Sequence, residues 1–247
     1  MAADQLLTTP AGRAVARFQR RVADDGRPMA DLVELLDGVD AGDAVPAMVA
    51  AFRGWRVAAP PVLARELLHA GARPQRHAYV MSRDLRRDPV PAEWLAPALP
   101  PGFRLTPVER PAADLAAACA AAYPPGHPDH RPEPAERELD ALMSGRLLGP
   151  LLPCSALALA PDGAVAGAVL VNDSDGDPPF GGPWVSQLYR RPEARGTGVA
   201  LLRRALAGAT RDGLPAIGLA VTHGNPARAR YAEHGFAEVS ESLSVDL

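Results

Sequence analysis

Residues 188–200 of the chain read LYRRPEARGTGVA, and this stretch decides the fold. It overlaps the end of an apolar segment, residues 184–189, that predicts a β-strand, and it runs into residues 199–211, which predict a helix. Gly196 and Gly198 lie in the turn between them, where they let the backbone approach a ligand closely. Free N–H groups at a helix N-terminus bind phosphate oxygens. The stretch predicts either a pyrophosphate-binding turn or a plain strand-to-helix connection that needs glycine for its geometry.

Two familiar phosphate-binding motifs are excluded. The Walker motif ends in Gly-Lys-Ser/Thr, whereas all 26 basic residues of this chain are arginine. The dinucleotide-binding fingerprint needs a third glycine, and here Val199, Ala200 and Leu201 follow the Gly-x-Gly. A catalytic lysine is excluded too, and the all-arginine composition suggests a GC-rich bacterial genome.

A proline-rich segment divides the chain into two regions. Residues 86–102 contain five prolines, which prevent a regular helix and are typical of a linker. We therefore expect an N-terminal accessory region, residues 1–95, and a second domain, residues 96–247. In the accessory region the pattern predicts helices at residues 11–24, 30–36, 45–53 and 62–70, and strands at residues 55–58 and 77–82.

The second domain has a regular order of predicted elements. Pro-Asp-Gly at residues 161–163 separates two apolar segments and indicates a hairpin. The predicted order is β-α-α-β-β-β-α-β-α-β. Its strands are expected at residues 103–108, 156–160, 164–171, 184–189, 217–221 and 238–245, and its helices at residues 114–123, 134–144, 199–211 and 226–234.

Two segments resemble motifs of the GNAT superfamily of N-acetyltransferases. The run Arg195-Gly196-Thr197-Gly198-Val199-Ala200 looks like its acetyl-CoA motif, R/Q-x-x-G-x-G/A. Residues 225–236, NPARARYAEHGF, resemble its second motif, in which an Asn opens a helix that carries a Tyr and ends at Gly-Phe. The resemblance covers about residues 101–247. It implies the GNAT fold, an α/β fold whose mixed, mostly antiparallel central sheet is flanked by helices, here with a smaller N-terminal α/β region.

The resemblance also implies an activity, the direct transfer of an acetyl group from acetyl-CoA to a primary amine. In the family, the strand before the glycine turn binds the acetyl oxygen and the pantetheine through backbone N–H groups. The helix tyrosine, here Tyr231, protonates the leaving thiolate, and simple packing of its ring is the other interpretation. Asn225 is expected to cap its helix and to contact the cofactor. The implied cofactor-binding residues are Gln187, Leu188, Tyr189, Arg190, Arg195, Gly196, Thr197, Gly198, Val199, Ala200, Asn225 and Tyr231.

The general base is not assigned. Acetyl transfer to an amine needs the amine in its neutral form. Some family members place a carboxylate for this purpose on the strand that here spans residues 184–189, and this chain has no carboxylate there. Gln187 cannot act as a base. This gap keeps open a second function, a non-catalytic acyl-CoA-binding or regulatory module. The candidate bases, acting directly or through water, are Asp129, His127, His130, Glu138 and the acidic residues of loop 172–177.

Several arginines are candidates for contacts with the phosphates of CoA. Arg190 and Arg191 stand where the family usually has an apolar residue, so this strand end is either unusually exposed or close to phosphate. Two helices bracket the expected cofactor, and their arginines either bind its 3′-phosphate or are ordinary surface residues. These are Arg203, Arg204, Arg228 and Arg230.

No metal site is predicted. Residues 123–132 contain two histidines and an aspartate, but their prolines prevent the helical spacing of metal-binding His pairs. Loop 172–177 resembles a calcium loop only superficially, because Pro178 and Trp184 occupy the positions that need Gly and Glu. The loop is expected to be solvated, or to attract a cationic amine.

Composition and charge limit the partners. A net charge of −3 argues against a general nucleic-acid binder, and the uncharged residues 147–161 are too short and too rich in Gly and Pro to span a membrane. Cys119 and Cys154 form no paired motif, and residues 1–4, Met-Ala-Ala-Asp, show no signal pattern, so a cytoplasmic location is expected. The expected acceptor is a small-molecule or peptide amine.

The accessory region aligns weakly with the end of the second domain. Counted back from a glycine in each region, Val57 matches Val221 and Leu67 matches Tyr231. Two interpretations are open. The region is either a degenerate copy of the same fold that lacks the tyrosine and the glycine turn, or an unrelated strand-helix-strand segment. Either way the region is expected to be structural, whether it packs beside the catalytic domain, completes the acceptor cleft or forms a homodimer.

Overall fold

The computed structural model describes residues 4–23, 26–131 and 133–247. They fall into two compact units, one made of Met1–Tyr79 with Ser240–Leu247 and the other of Val80–Val239. The proline-rich segment predicts a division at residue 95, and that division stays a prediction. Three positions used in the sequence argument lie outside the described residues: the start of the N-terminal pattern at residues 1–3, Asp24 and Pro132.

The first unit is an α/β arrangement in which β3 and β4 are parallel and the other pairs are antiparallel. Its hydrogen-bonded strand order is β1-β2-β3-β4-β11. Strands β5 and β11 each have residues in both units. The elements are β1 (Asp4–Thr8), β2 (Ala14–Val22), β3 (Pro28–Leu35), α1 (Ala41–Ala51), β4 (Arg56–Ala59), α2 (Pro61–His69), β5 (Arg73–Asp84) and, at the end of the chain, β11 (Ala237–Asp246).

Two helices predicted in this unit are wrong. Residues 11–24 contain β2, residues 30–36 overlap β3, and β1 was not predicted at all. In β2, Val15 and Phe18 are buried while Arg17 is exposed, a short pattern that fits either a helix or a strand. Pairing with a strand on each side decides the outcome, since it satisfies the backbone groups along both edges of β2. The predictions of α1, β4, α2 and β5 are confirmed.

The second unit follows the predicted order β-α-α-β-β-β-α-β-α-β. Its hydrogen-bonded strand order is β5-β10-β9-β8-β7-β6. Only β9 and β10 form a parallel pair among the pairs with a described register, and the three pairs from β6 to β9 are antiparallel. The predicted α/β class with a mixed, mostly antiparallel sheet is therefore confirmed. The further elements are β6 (Arg104–Thr106), α3 (Ala112–Ala122), α4 (Glu136–Met143), β7 (Ala156–Leu159), β8 (Val165–Ser174), β9 (Gly182–Arg190), α5 (Thr197–Arg211), β10 (Ala216–Thr222) and α6 (Ala227–Glu233).

The core of the second unit places α3 and α4 against the middle of the sheet. Leu115 of α3 and Leu139 of α4 share a buried cluster with Leu170 and Tyr189 of the strands. The predicted hairpin joins β7 and β8, with Gly163 at a φ of 85°, in the left-handed region that favours glycine. This packing holds β9 firmly along its β8 side.

The proline-rich linker of residues 86–102 packs within the second unit. It contains one 3₁₀ turn, Ala92–Leu95. The ring of Trp94 in this turn lies 5.1 Å from the Cζ atom of Arg203 and 5.9 Å from that of Arg83, at cation–π distance. Arg83 is 5% exposed and donates a hydrogen bond to the carbonyl of His234 at 2.6 Å. The segment is thus anchored by aromatic and polar contacts although it has no regular helix.

Candidate functional site

Strands β9 and β10 diverge after a short parallel contact. Among the described residues their pairing covers only Trp184 with Gly218 and Val185 with Leu219. Beyond that point β9 continues to residue 190 and stays paired with β8 on its other side. Residues 186–190 therefore present a backbone edge that no neighbouring strand occupies.

This open edge carries the N–H groups of Leu188 and Arg190. The N–H of Arg191 donates to the carbonyl of Ala166 at 2.7 Å, so it points toward β8. Because backbone groups alternate in direction along a strand, those of Leu188 and Arg190 point the other way, into the opening. The hydroxyl of Tyr123 reaches the same edge and donates to the Leu188 carbonyl at 3.2 Å.

A bulge bends β9 where the opening begins. The register with β8 shifts so that Ser186 has no partner residue, and bulges of this kind redirect a strand. The hydroxyl of Ser186 donates to Oδ1 of Asn172 at 2.7 Å. Asn172 is fully buried, and its Nδ2 donates to the carbonyls of Leu142 and Gly149 at 2.9 and 2.8 Å. Asn172, which the sequence grouped with a solvated loop, instead ties the bulge to the end of α4.

The glycine turn leads into α5 with two N–H groups left over. Gly196 caps the helix at a φ of 90°. The first helical hydrogen bond joins the N–H of Ala200 to the Gly196 carbonyl at 3.3 Å. The N–H groups of Gly198 and Val199 have no partner within the described part of the chain, as expected for the first turn of a helix. This turn is therefore built to accept an anion.

Other residues of the turn have structural roles. Thr197 is fully buried, and both its N–H and its hydroxyl donate to the carbonyl of Ala194. Arg190 donates from Nη1 to the carbonyls of Arg191 and Pro192, both at 2.9 Å. The stem of Arg190 lies against the helix start, because a Cβ added to Gly198 would be 3.6 Å from the Arg190 Cδ. The guanidinium of Arg190 is thus used to hold the turn.

Three tyrosines lie near the opening, and their hydroxyl groups differ. Those of Tyr123 and Tyr189 each donate to a backbone carbonyl at 3.2 Å. The hydroxyl of Tyr231, on α6, has no hydrogen-bond partner among the described residues although the side chain is only 8% exposed. Burial, and after it the negative charge of Asp129, raises the pKa of Tyr231, and burial raises that of Tyr123. Both phenols therefore remain protonated and available as donors.

Asp129 links the loop between α3 and α4 to the start of α6. The hydroxyl of Thr222, at the end of β10, donates to one oxygen of its carboxylate. The Asn225 Nδ2 donates to the other oxygen at 2.6 Å. Asn225 also accepts a hydrogen bond from the N–H of Ala227, the first residue of α6, at 2.8 Å. Both ends of the Asn225 side chain are thus occupied.

The other candidate bases lie in or beside the same loop. The Nδ1 atom of His127 accepts a hydrogen bond from the Asp129 N–H at 3.1 Å. The Nδ1 atom of His130 lies 2.8 Å from the Tyr123 carbonyl, to which it can only donate. Glu138, on α4, contacts Gln187 and Arg131. Of the acidic loop, Asp173, Asp175 and Asp177 are exposed.

Three of the four arginines considered for the 3′-phosphate of CoA have other contacts. Arg203 stacks on Trp94, and the Arg204 Nη1 is buried with no hydrogen-bond partner in the described chain. Arg228 pairs with Glu238, and Arg230 pairs with Glu233 at 2.7 Å. These contacts occupy Arg203, Arg228 and Arg230, and Arg195 is exposed beside Gly196 of the turn.

The described ranges contain neither a metal-binding cluster nor a membrane-spanning helix. No group of three His, Cys, Asp or Glu side chains there is placed to hold a metal ion. No helix there combines the length and the apolar character needed to cross a bilayer.

Sequence reasoning missed the parts of the site that depend on distant contacts. The sequence predicts Tyr123 only as the last residue of a helix and the first of a loop, and Asn172 only as a member of an acidic run. An aromatic residue at the end of a helix, ahead of a proline-rich loop, is the one local signal for Tyr123. The Asn172–Ser186 contact has no local signal, because its register exists only once β8 and β9 pair.

Comparison with known proteins identifies the fold. No protein-family model and no curated protein matches the sequence. A GCN5-related N-acetyltransferase from Sphaerobacter thermophilus matches with a TM-score of 0.63 and 20% identity, over 97% of this chain and 78% of that one. A tandem GNAT protein from the clavulanic acid biosynthesis pathway matches with a TM-score of 0.54 and 17% identity, over 96% of this chain and 80% of that one.

A third match is the glucosamine N-acetyltransferase region of a fungal multi-domain β-N-acetylglucosaminidase. It has a TM-score of 0.58 and 15% identity, over 97% of this chain and 32% of that one. At such identities the common feature is the fold. The chain has the fold of the GCN5-related N-acetyltransferases, as its motifs predicted.

Proposed function

We propose that the chain is an acyltransferase that takes the acetyl group of acetyl-CoA and passes it directly to a primary amine. The observation that supports this best is the open edge of β9 beside the unpartnered first turn of α5. A free backbone edge suits an extended chain with amide groups, and a helix N-terminus suits a pyrophosphate. The stem of Arg190 touches Gly198, so the two features are adjacent.

The proposed donor would supply a thioester whose carbonyl is open to attack by an amine. Leu188 and Arg190 would hold its acetyl and pantetheine part through their N–H groups. Gly198 and Val199 would hold the pyrophosphate through theirs. The remaining residues of the proposed donor site shape the strand, the turn and the start of α6: Gln187, Tyr189, Arg195, Gly196, Thr197, Ala200 and Asn225.

Tyr231 is the proposed acid. Its raised pKa keeps the phenol protonated, and its hydroxyl has no partner among the described residues, so it can donate its proton to a leaving thiolate. Direct transfer is also favoured by the cysteines. Burial raises the pKa of Cys119 to about 11 and that of Cys154 to about 12, so neither supplies a thiolate nucleophile at neutral pH.

The first unit is proposed to be a degenerate copy of the fold. Each half of the sequence contains a strand-helix-strand-helix-strand run with a parallel strand pair, β3 to β5 in the first half and β9 to β11 in the second. Leu67 takes the position of Tyr231. The helix α1 begins after Asp40, whose carboxylate already accepts the N–H of Asp43 at 2.9 Å, and these charges repel phosphate. One donor site per chain is therefore proposed.

The acceptor side of the proposal is a small-molecule or peptide amine. A cytoplasmic location is included because two unpaired buried thiols favour a reducing compartment. A homodimer is the proposed assembly to be tested by light scattering, since accessory units often serve association.

The direct test is a calorimetric titration of the purified chain with acetyl-CoA, followed by a screen of amines, glucosamine included, for thiol release. We expect one site per chain and turnover with at least one amine. Binding without turnover on any amine would favour a regulatory module, and no binding at millimolar concentration would overturn the donor site.

A further inference from the structure

We infer that Glu138 is the general base for the acceptor amine and that the acceptor is a protonated primary alkylamine; this inference rests on the proposed acyl transfer. Strand β9 has no carboxylate of its own. Glu138 supplies one from α4, because its Oε1 atom lies 3.3 Å from the Nε2 of Gln187, the β9 residue next to Leu188. A carboxylate from a neighbouring helix thus stands beside the strand segment where the reacting carbonyl is proposed to bind.

Packing of α4 fixes the position of this carboxylate. Leu139 and Leu142 of the same helix are each 1% exposed and belong to the core of the unit. The Nη1 of Arg131 lies 3.2 Å from the Oε2 of Glu138. The Glu138 side chain is nevertheless 30% exposed. Both oxygens are therefore held while each keeps a lone pair for another donor. The carboxylate is oriented and still reachable by a ligand.

The competing bases are less suitable. His127 accepts a hydrogen bond at Nδ1, so its neutral ring carries the proton on Nε2 and has no lone pair to offer. Asp129 accepts from Thr222 and Asn225 and its charge acts on Tyr231, which places it on the leaving-group side. His130 has an available Nε2 but is exposed on the loop.

The chemistry balances with the groups present. The carboxylate of Glu138 takes one proton from the ammonium and leaves a neutral amine, whose lone pair forms the new C–N bond at the thioester carbon. The C–S bond breaks with its electron pair on sulfur, and Tyr231 gives sulfur a proton. The second proton lost by nitrogen replaces the one given by Tyr231, and Glu138 returns its proton to water.

The same pair of side chains defines the acceptor class. The carboxylate of Glu138 and the amide oxygen of Gln187 are both acceptors, and an ammonium group offers three donors. A negative charge next to an amide oxygen favours a cation over a neutral hydroxyl. The geometry therefore points to an alkylammonium acceptor, such as an aminosugar or a diamine.

The test compares Glu138→Gln with Glu136→Gln, an exposed glutamate of the same helix turn. Two probe acceptors are used at neutral pH, butylamine, which is protonated, and methoxyamine, which is already neutral. With butylamine, Glu138→Gln should lower kcat/KM by about 100-fold, and with methoxyamine by less than about threefold, because a neutral amine needs no base. Glu136→Gln should match the wild type with both.

Calorimetry of acetyl-CoA binding tests the donor site separately from the assignment of Glu138 as the base. Glu138→Gln should bind acetyl-CoA like the wild type, since Glu138 lies on the acceptor side. Equal losses with both probes, or no loss with butylamine, would overturn the base assignment while the acyl transfer stands. A wild-type protein that transfers to another amine of the screen but to neither probe would overturn this inference while the acyl transfer stands, and one that transfers to no amine would overturn the proposed function as well.

Discussion

The side-chain amide of Asn225 donates a 2.6 Å hydrogen bond to the carboxylate of Asp129, and the hydroxyl of Thr222 donates to the same group. One carboxylate thus connects the proline-rich loop after α3 with the end of β10 and the start of α6. The two donors arrive at opposite oxygens, and the carboxyl group of Asp129 accepts one hydrogen bond at each.

Asp129→Asn should therefore weaken the fold locally. Its amide nitrogen would face one of the two donors, and one partly buried hydrogen bond would be lost, at about 1–2 kcal/mol in the free energy of unfolding. Urea denaturation measures this. Asp175→Asn, in the exposed loop, makes the same charge change and should leave the midpoint in place. An unchanged midpoint in Asp129→Asn would mean that this connection does not stabilise the native state.

Substitutions at Gly198 should separate charge from size at the helix start. Gly198→Ala should fold normally, because its Cβ meets only the Arg190 side chain at 3.6 Å. Gly198→Glu should lower acetyl-CoA affinity by about 100-fold or more, since like charges about 4 Å apart cost about 4 kcal/mol near a surface. Gly198→Gln has a side chain of equal size without the charge, so its acetyl-CoA affinity should fall clearly less than that of Gly198→Glu. Calorimetry measures the acetyl-CoA affinity of all three variants. Equal affinities for the Glu and Gln variants would overturn the assignment of a phosphate group to this turn.

Tyr231→Phe should slow turnover by about 100-fold while acetyl-CoA affinity changes little, as expected for the loss of an acid. The pKa of Tyr231 is raised, so the donor form persists to higher pH than for a free tyrosine. The wild-type rate should therefore not fall between about pH 8 and about pH 10 through this group. Steady-state kinetics across that range measure both effects, and full activity in the Phe variant would leave only packing against Phe236 as its role.

Both cysteines should be inert in the folded protein. Burial raises the pKa of Cys119 to about 11 and that of Cys154 to about 12, so both are thiols at neutral pH, and they are 6% and 1% exposed. Because the thiolate is the reactive form, a disulfide reagent should label neither cysteine in the native state and both in denaturant. If a cysteine of the native protein is labelled rapidly and acetyl-CoA prevents this labelling, a mechanism through an acylated cysteine would have to be reconsidered.

Removing residues 1–95 should not give a stable catalytic fragment. The deletion removes β4, to which Leu243–Asp246 of β11 are paired, and it uncovers Val245, which is fully buried. An unpaired apolar strand edge promotes aggregation. The fragment of residues 96–247 should therefore be insoluble alone and more soluble when residues 1–95 are co-expressed. A soluble monomeric fragment that binds acetyl-CoA would show that the accessory region is dispensable.

Prediction from the sequence succeeded where local signals were strong and failed where pairing decides. The Pro-Asp-Gly hairpin, the glycine turn and the run from β6 to β11 carry turn residues and caps whose geometry is local. Residues 14–22 and 28–35 carry short apolar patterns without such signals, and they are strands because β1 and β4 complete their hydrogen bonds. The prolines of residues 86–102 correctly predict that this segment has no regular helix, whereas the stacking of Trp94 on Arg203 has no local signal.

The site divides in the same way. The sequence by itself determined the glycine turn at the start of α5, the position of Tyr231 and the absence of a carboxylate on β9, because these depend on residue type and order. Only the tertiary structure decided that β9 leaves β10 after Val185, that Asp129 holds Asn225, and that Glu138 of α4 lies beside Gln187. Such contacts join residues tens of positions apart, so no local pattern encodes them, and packing of helices on the sheet sets their distances.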